Sequence, residues 1–182
     1  EFATKIYEKV KMNNRTRYLS LCDYLKEKHQ ILVKDILPEE NKPFSKIFFP
    51  EKKEFHLSDL LNLETKKLYT AALVAQLEAD NIIEEYLDEF SFPSEASKKV
   101  SKVALLNYAG AAIIMPYEIF FNECVKKHRY DLELLQSTFA VSFEQVCHRV
   151  TCLNNPNPKL RGIPLHMIRV DRSGNVSKRF SL

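Results

Sequence analysis

Glycine is scarce in this chain, with three residues in 182, and none of the three opens a G-x-G-x-x-G or Walker loop. The common dinucleotide and nucleotide-hydrolase chemistries therefore lack their phosphate cradle. Tryptophan is absent, and the four cysteines (Cys22, Cys124, Cys147 and Cys152) form no C-x-x-C pair. A chain this long does not need disulfide staples, so free thiols in a reducing cytoplasm are expected. The five histidines, His29, His56, His128, His148 and His166, include no pair at i and i+4, so no helical metal grip is spelled out. No apolar run approaches the ~20 residues that span a bilayer. The most apolar stretch, Ala109 to Met115, stops at Pro116. No signal peptide, internal repeat or low-complexity segment is visible, and no membrane association is expected. A strong charge of one sign is missing too: the net charge of +3 falls short of a nucleic-acid-binding stripe but suits an anionic small ligand.

What is present is enough apolar residue, 45%, to build a sizeable core. Apolar spacing predicts a helix from about Thr4 to His29, a short strand at Ile31–Val33, and strands at Lys46–Phe49 and Glu54–Ser58 around a Pro50–Lys53 turn. A long, largely buried helix is expected from about Glu64 to Phe90. Its face carries Leu68, Ala72, Ala75, Ala79, Ile82, Ile83 and Tyr86. Ser94 to Met115 follows as a helix whose Ala-Gly-Ala-Ala run permits close helix approach, and Pro116 then opens a helix from Tyr117 to His128. Asp131 caps a helix ending at Phe139, and Ser142-Phe-Glu-Gln145 reads as a capping box for a helix to about Leu153. Leu165 to Phe180 reads as a β-hairpin around Arg172–Asn175. The fold class expected is α+β: a mainly helical domain with a small antiparallel sheet and a C-terminal β-hairpin. Leu132 to Val150 also has the outline of a helix-turn-helix. Its second helix carries Glu144 and Gln145 at the start and only Arg149 as a basic residue, which favours a packed helical hairpin.

Two stretches match a known family in order and spacing. One is Asn107-Tyr-Ala-Gly-Ala-Ala-Ile-Ile-Met-Pro-Tyr117. The other runs from Arg129-Tyr-Asp131 through Val141–Arg149 and Arg161-Gly-Ile-Pro164 to Ile168–Arg179. The set resembles the bacterial short-chain fatty acyl transcriptional regulators, most specifically from about Lys102 to Phe180. The resemblance implies that residues 1–182 form one degenerate zincin-like domain that senses acyl-CoA, with a DNA-binding helix-turn-helix upstream and a cysteine-containing region downstream. Such a protein would be cytoplasmic, would reach DNA only through the upstream domain, and is compatible with a homodimer. An iron–sulfur cluster would belong to the downstream region alone.

The wider superfamily includes zinc peptidases whose helix carries H-E-x-x-H. The corresponding stretch here looks like Ala72-Leu73-Val74-Ala75-Gln76, and the third-ligand position falls near Leu105. Alanine and leucine bind no zinc and leucine moves no proton, so the resemblance implies neither a metal nor an enzyme, and the old cleft becomes an apolar hollow. Acyl-CoA or coenzyme A is the effector expected, its acyl end beside Ala72, Ala75 and Gly110. Its phosphates call for basic residues, and the candidates are Lys46, Arg161, Arg169, Lys178 and Arg179, with Tyr108 near the junction. The rival expectations are a residual metallopeptidase and a dimerisation domain without a ligand.

Overall fold

The computed structural model describes residues 2–10 and 17–180. They divide into two compact units, Glu1–Ile114 and Met115–Leu182. The first unit opens with helices α1 (Phe2–Lys9) and α2 (Arg17–His29). The expected continuous helix from Thr4 to His29 includes residues 11–16, which lie outside the described residues.

Three strands follow: β1 (Leu32–Ile36), β2 (Lys46–Phe49) and β3 (Glu54–Ser58). Their spatial order is β1-β3-β2. The expected hairpin of β2 and β3 forms, with Lys53 adopting φ 50° at the turn. The all-antiparallel sheet does not, because β1 pairs parallel to β3. The connection after β1 crosses to the far edge before the hairpin returns through the middle, which leaves β1 and β3 running the same way. Strand alternation sends Phe55 and Leu57 of β3 into the core, where both are buried.

Helix α3 (Leu63–Asp88) starts where Asn62 accepts a hydrogen bond from the Thr65 amide at 2.9 Å. Residues 70 to 75 are buried all round, whereas farther along only Ala79, Ile83 and Leu87 are buried, at four-residue steps. Ile82 and Tyr86, expected on the buried face, are 59% and 49% exposed because this end of α3 is covered on one side only. Helix α4 (Glu95–Ile114) packs against α3. Ion pairs tie the two together: Lys102 to Asp80 at 2.8 Å and Glu84 at 2.6 Å, and Lys98 to Asp88 at 2.6 Å.

In the second unit the segment read as one helix after Pro116 divides. Helix α5 (Tyr117–Phe121) passes into a π-helical turn, Asn122–Lys127. The His128 amide reaches back to the Glu123 carbonyl at 2.8 Å, and Arg129 and Tyr130 then take left-handed backbone angles, φ 48° and 65°. Asp131 caps α6 (Leu132–Phe139). Both bonds of the Ser142–Gln145 capping box are present at the start of α7 (Phe143–Thr151). Leu135, Phe139, Val146 and Val150 from these two helices are buried. Arg149, the basic residue considered above for a DNA groove, is buried and donates to the Met115 carbonyl at 3.0 Å. The pair is thus a core-packed helical hairpin. The unit ends in a hairpin of β4 (Met167–Val170) and β5 (Val176–Phe180), where Gly174 takes φ 86°.

Candidate functional site

The first unit carries an open hollow of about 380 Å³. The β2–β3 hairpin supplies Lys46, Phe48 and Phe55; Phe48 and Phe55 are cross-strand partners with ring centroids 6.5 Å apart. Helix α3 supplies Tyr69, Ala72, Leu73 and Gln76, whose steps of three and four residues bring them to one face. Helix α4 contributes Lys99, Lys102, Val103 and Leu106. The lining is therefore mostly apolar, with two neutral polar groups and three lysines.

The lysines differ electrostatically. Lys102 is held by Asp80 and Glu84, and hydrogen bonds from it to these carboxylates push its pKa up. Lys46 is an exposed residue, and its Nζ lies 4.3 Å from the centre of the Tyr69 ring. Burial at that end lowers its pKa, and no carboxylate stands within ion-pair distance among the described residues. A cation over an aromatic face is stabilised by the ring quadrupole, yet this is a weaker partner than a carboxylate.

Zinc does not fit this donor set. Ala72, Leu73 and Gln76, from the stretch that resembles the position of the peptidase motif, all face the hollow. Of the two neighbouring leucines on α4, Leu106 lines the hollow and Leu105 does not. An alanine, two leucines and an amide offer no thiolate, imidazole or carboxylate, and the nearby cations oppose a divalent metal. No group of three metal-binding side chains occurs among the described residues.

Of the other ligand candidates, Ala75 is fully buried and does not line the hollow, and Tyr108 is 51% exposed elsewhere on α4. Gly110 leaves no room for an acyl chain: a Cβ there would stand 2.7 Å from the Ala72 backbone nitrogen, so its missing side chain is used for helix contact. Arg161 braces its own loop, donating to the carbonyls of Asn155 at 2.8 Å and Pro156 at 3.1 Å. Arg169 and Lys178 are direct cross-strand partners and both pair with Glu144, at 3.0 and 2.5 Å. Arg179 borders a smaller hollow with His166, Ile168 and Phe180. Sequence reasoning overlooked Phe48, Phe55, Lys99 and Lys102. Period-two alternation on β2 and β3, and the three-residue step from Lys99 to Lys102, were the signals that could have found them.

Comparison with known proteins places this architecture. The profile of the IrrE N-terminal-like domain family, Peptidase M78, matches residues 27–151. The chain belongs to this family. Residues 154–182 match a second profile, that of the short-chain fatty acyl coenzyme A regulator C-terminal region. The expected likeness to short-chain fatty acyl regulators and the zincin-related fold are thereby shown. The chain is 38% identical over 111 residues to the HTH-type transcriptional regulator RamB of Mycobacterium tuberculosis, covering 61% of this chain and 23% of that protein. The Propionyl-CoA carboxylase regulator of Cereibacter sphaeroides is 34% identical over 117 residues, 64% of this chain and 25% of the relative. The M. tuberculosis regulator PrpR is 30% identical over 151 residues, 83% and 30%. A solved structure of a Mycobacterium tuberculosis transcriptional regulator superposes with TM-score 0.88 at 28% identity, over 98% of this chain and 53% of that one. The chain thus spans about a quarter of the length of these curated relatives.

Proposed function

We propose that residues 1–182 act as a sensing module for short-chain acyl-CoA in a transcriptional regulator of propionate or short-chain fatty acid metabolism, and not as a peptidase. One observation carries the proposal. Helix α3, read as the counterpart of the zinc-binding helix of zincin peptidases, presents Ala72, Leu73 and Gln76 to a hollow with an apolar floor and a lysine rim. A short acyl chain and pantetheine arm suit the Phe48, Phe55, Ala72, Leu73, Val103 and Leu106 surfaces, and the lysines suit the anionic end. Support comes from the matched acyl-CoA regulator profile and from relatives named as transcriptional regulators. Arg169 and Lys178 are a second candidate phosphate contact, which a phosphate reaches only by competing with Glu144. In this proposal the protein works in the cytoplasm, its DNA contacts belong to another domain, and no metal takes part.

A sensor needs a ligand that favours one conformation, since equal affinity for both shifts nothing. The deciding experiment is calorimetry with acetyl-, propionyl- and butyryl-CoA against free coenzyme A. Saturable binding that depends on the acyl group is expected. Equal or undetectable binding of all four ligands would overturn the acyl-sensing role. One tightly bound zinc per chain with peptide cleavage would return the peptidase.

A further inference from the structure

Lysine is a nucleophile when neutral, and thioesters are acyl donors. The hollow proposed to hold the thioester is rimmed by three lysines, and only one is suited to attack. Lys102 is held as an ammonium by two carboxylates, at 2.8 and 2.6 Å. Lys99 on α4 is exposed, as Lys46 is, but no aromatic ring holds its amine among the described residues. Lys46 is fixed at its backbone by the β2–β3 ladder, opposite Leu57, and its amine end lies 4.3 Å from the Tyr69 ring centre on the wall of the hollow.

We propose that Lys46 is a self-acylation site, taking the acyl group from an acyl-CoA thioester bound in the hollow. The inference rests on the acyl-CoA reading and deepens it. The Nζ lone pair forms a C–N bond to the thioester carbonyl, the C–S bond breaks, and coenzyme A leaves as thiolate. The proton lost from Nζ neutralises that thiolate through solvent, giving an amide and free coenzyme A thiol with no oxidant or further co-reactant. Two features favour this lysine. Burial at its amine end lowers its pKa, which enlarges the neutral fraction at neutral pH. Tyr69 positions the amine and holds its proton more weakly than a carboxylate would. Holding nucleophile and electrophile together then raises their effective concentration. The product removes one positive charge from the rim and places an acyl group inside the hollow, so the mark outlasts the ligand.

The test uses the unaltered chain incubated with propionyl-CoA, with peptide mass mapping of each lysine over time. In parallel, calorimetry measures a non-transferable thioether analogue of propionyl-CoA. Lys46 is expected to be propionylated at least about tenfold faster than the exposed Lys26 and Lys159, and excess analogue should suppress Lys46 alone. If the analogue binds but Lys46 reacts no faster than Lys26, the acylation proposal fails and the sensor reading stands. The acylation proposal fails equally if Lys99 or Lys102 is the preferred target. If Lys46 reacts fast but the analogue does not slow it, its reactivity is independent of the hollow and the proposal fails. If the analogue does not bind and no lysine is preferred, both readings fail.

Discussion

Gly110 and Ala72 touch through space that a side chain would occupy: a Cβ on Gly110 would stand 2.7 Å from the Ala72 nitrogen and 3.0 Å from its Cα. The obstacle is helix backbone, which cannot swing aside. Gly110→Ala must therefore push α3 and α4 apart along the seam that ends at the hollow. The expected cost is about 1–3 kcal/mol of stability, read as a lowered melting temperature. An unchanged melting curve would show that the helices have slack here.

Val103 lines the hollow yet is 50% exposed, so it can be enlarged without disturbing the core. Val103→Phe should leave the melting temperature nearly unchanged and weaken butyryl-CoA binding by about tenfold, roughly 1.4 kcal/mol, with a smaller effect on acetyl-CoA. Calorimetry on the two thioesters measures the difference. Equal effects on both would move the acyl chain away from Val103.

Glu78 joins α3 to α2. Its Oε1 meets the His29 Nε2 at 2.7 Å, accepts from the Tyr24 hydroxyl at 3.1 Å, and pairs with Lys28. Burial alone would raise its pKa, but the hydrogen bonds from Lys28, His29 and Tyr24 outweigh that and hold it below the usual 4.5. A carboxylate with a depressed folded pKa stabilises the fold fully above its unfolded value, and the benefit fades as pH falls through the folded value. Glu78→Gln should cost about 1–3 kcal/mol near neutral pH. Parent and variant should converge as pH drops below 4.5. Urea denaturation across that range checks it; a gap that widened in acid would contradict the assigned sign.

Glu144 holds both cations of the C-terminal hairpin, Arg169 and Lys178, while Phe180 stacks edge-on against His148 at 4.0 Å between ring centres. All residues of β5 are exposed, and an isolated two-stranded hairpin is marginal in water. Glu144→Gln should therefore speed amide hydrogen exchange in β4 and β5 by about two- to tenfold, since each exposed pair is worth about 0.2–1 kcal/mol. Exchange in α3 should not change. Uniform acceleration across the chain would mean that Glu144 supports more than the hairpin.

Local signals in the sequence told most about the helices. The Asp131 cap, the Ser142–Gln145 box and the Gly174 turn are encoded within four residues of where they act. What depends on distant partners was not legible. Nothing in Leu32–Ile36 states that its neighbour is β3 rather than β2. The π-helical turn at Asn122–Lys127 carries ordinary helix-forming residues. The small residues of α3 and α4 announced close approach but not who fills the gap, so Gly110 read as empty space when Ala72 occupies it. The basic residues of the hairpin were visible, whereas their shared carboxylate, Glu144, lies 25 residues away from Arg169.

Helix α3 places Gln76 on the hollow and Glu78 in the knot with Tyr24, Lys28 and His29. They stand two positions apart on the helix, roughly 3 Å along the axis, and a helix transmits axial displacement over that length with little loss. Hydrogen bonds tolerate only a few tenths of an ångström. Any larger slide of α3 that reshapes the hollow must therefore drag α2 along or snap the knot. The wall of the cavity and the anchor of α2 are thus parts of one rigid rod.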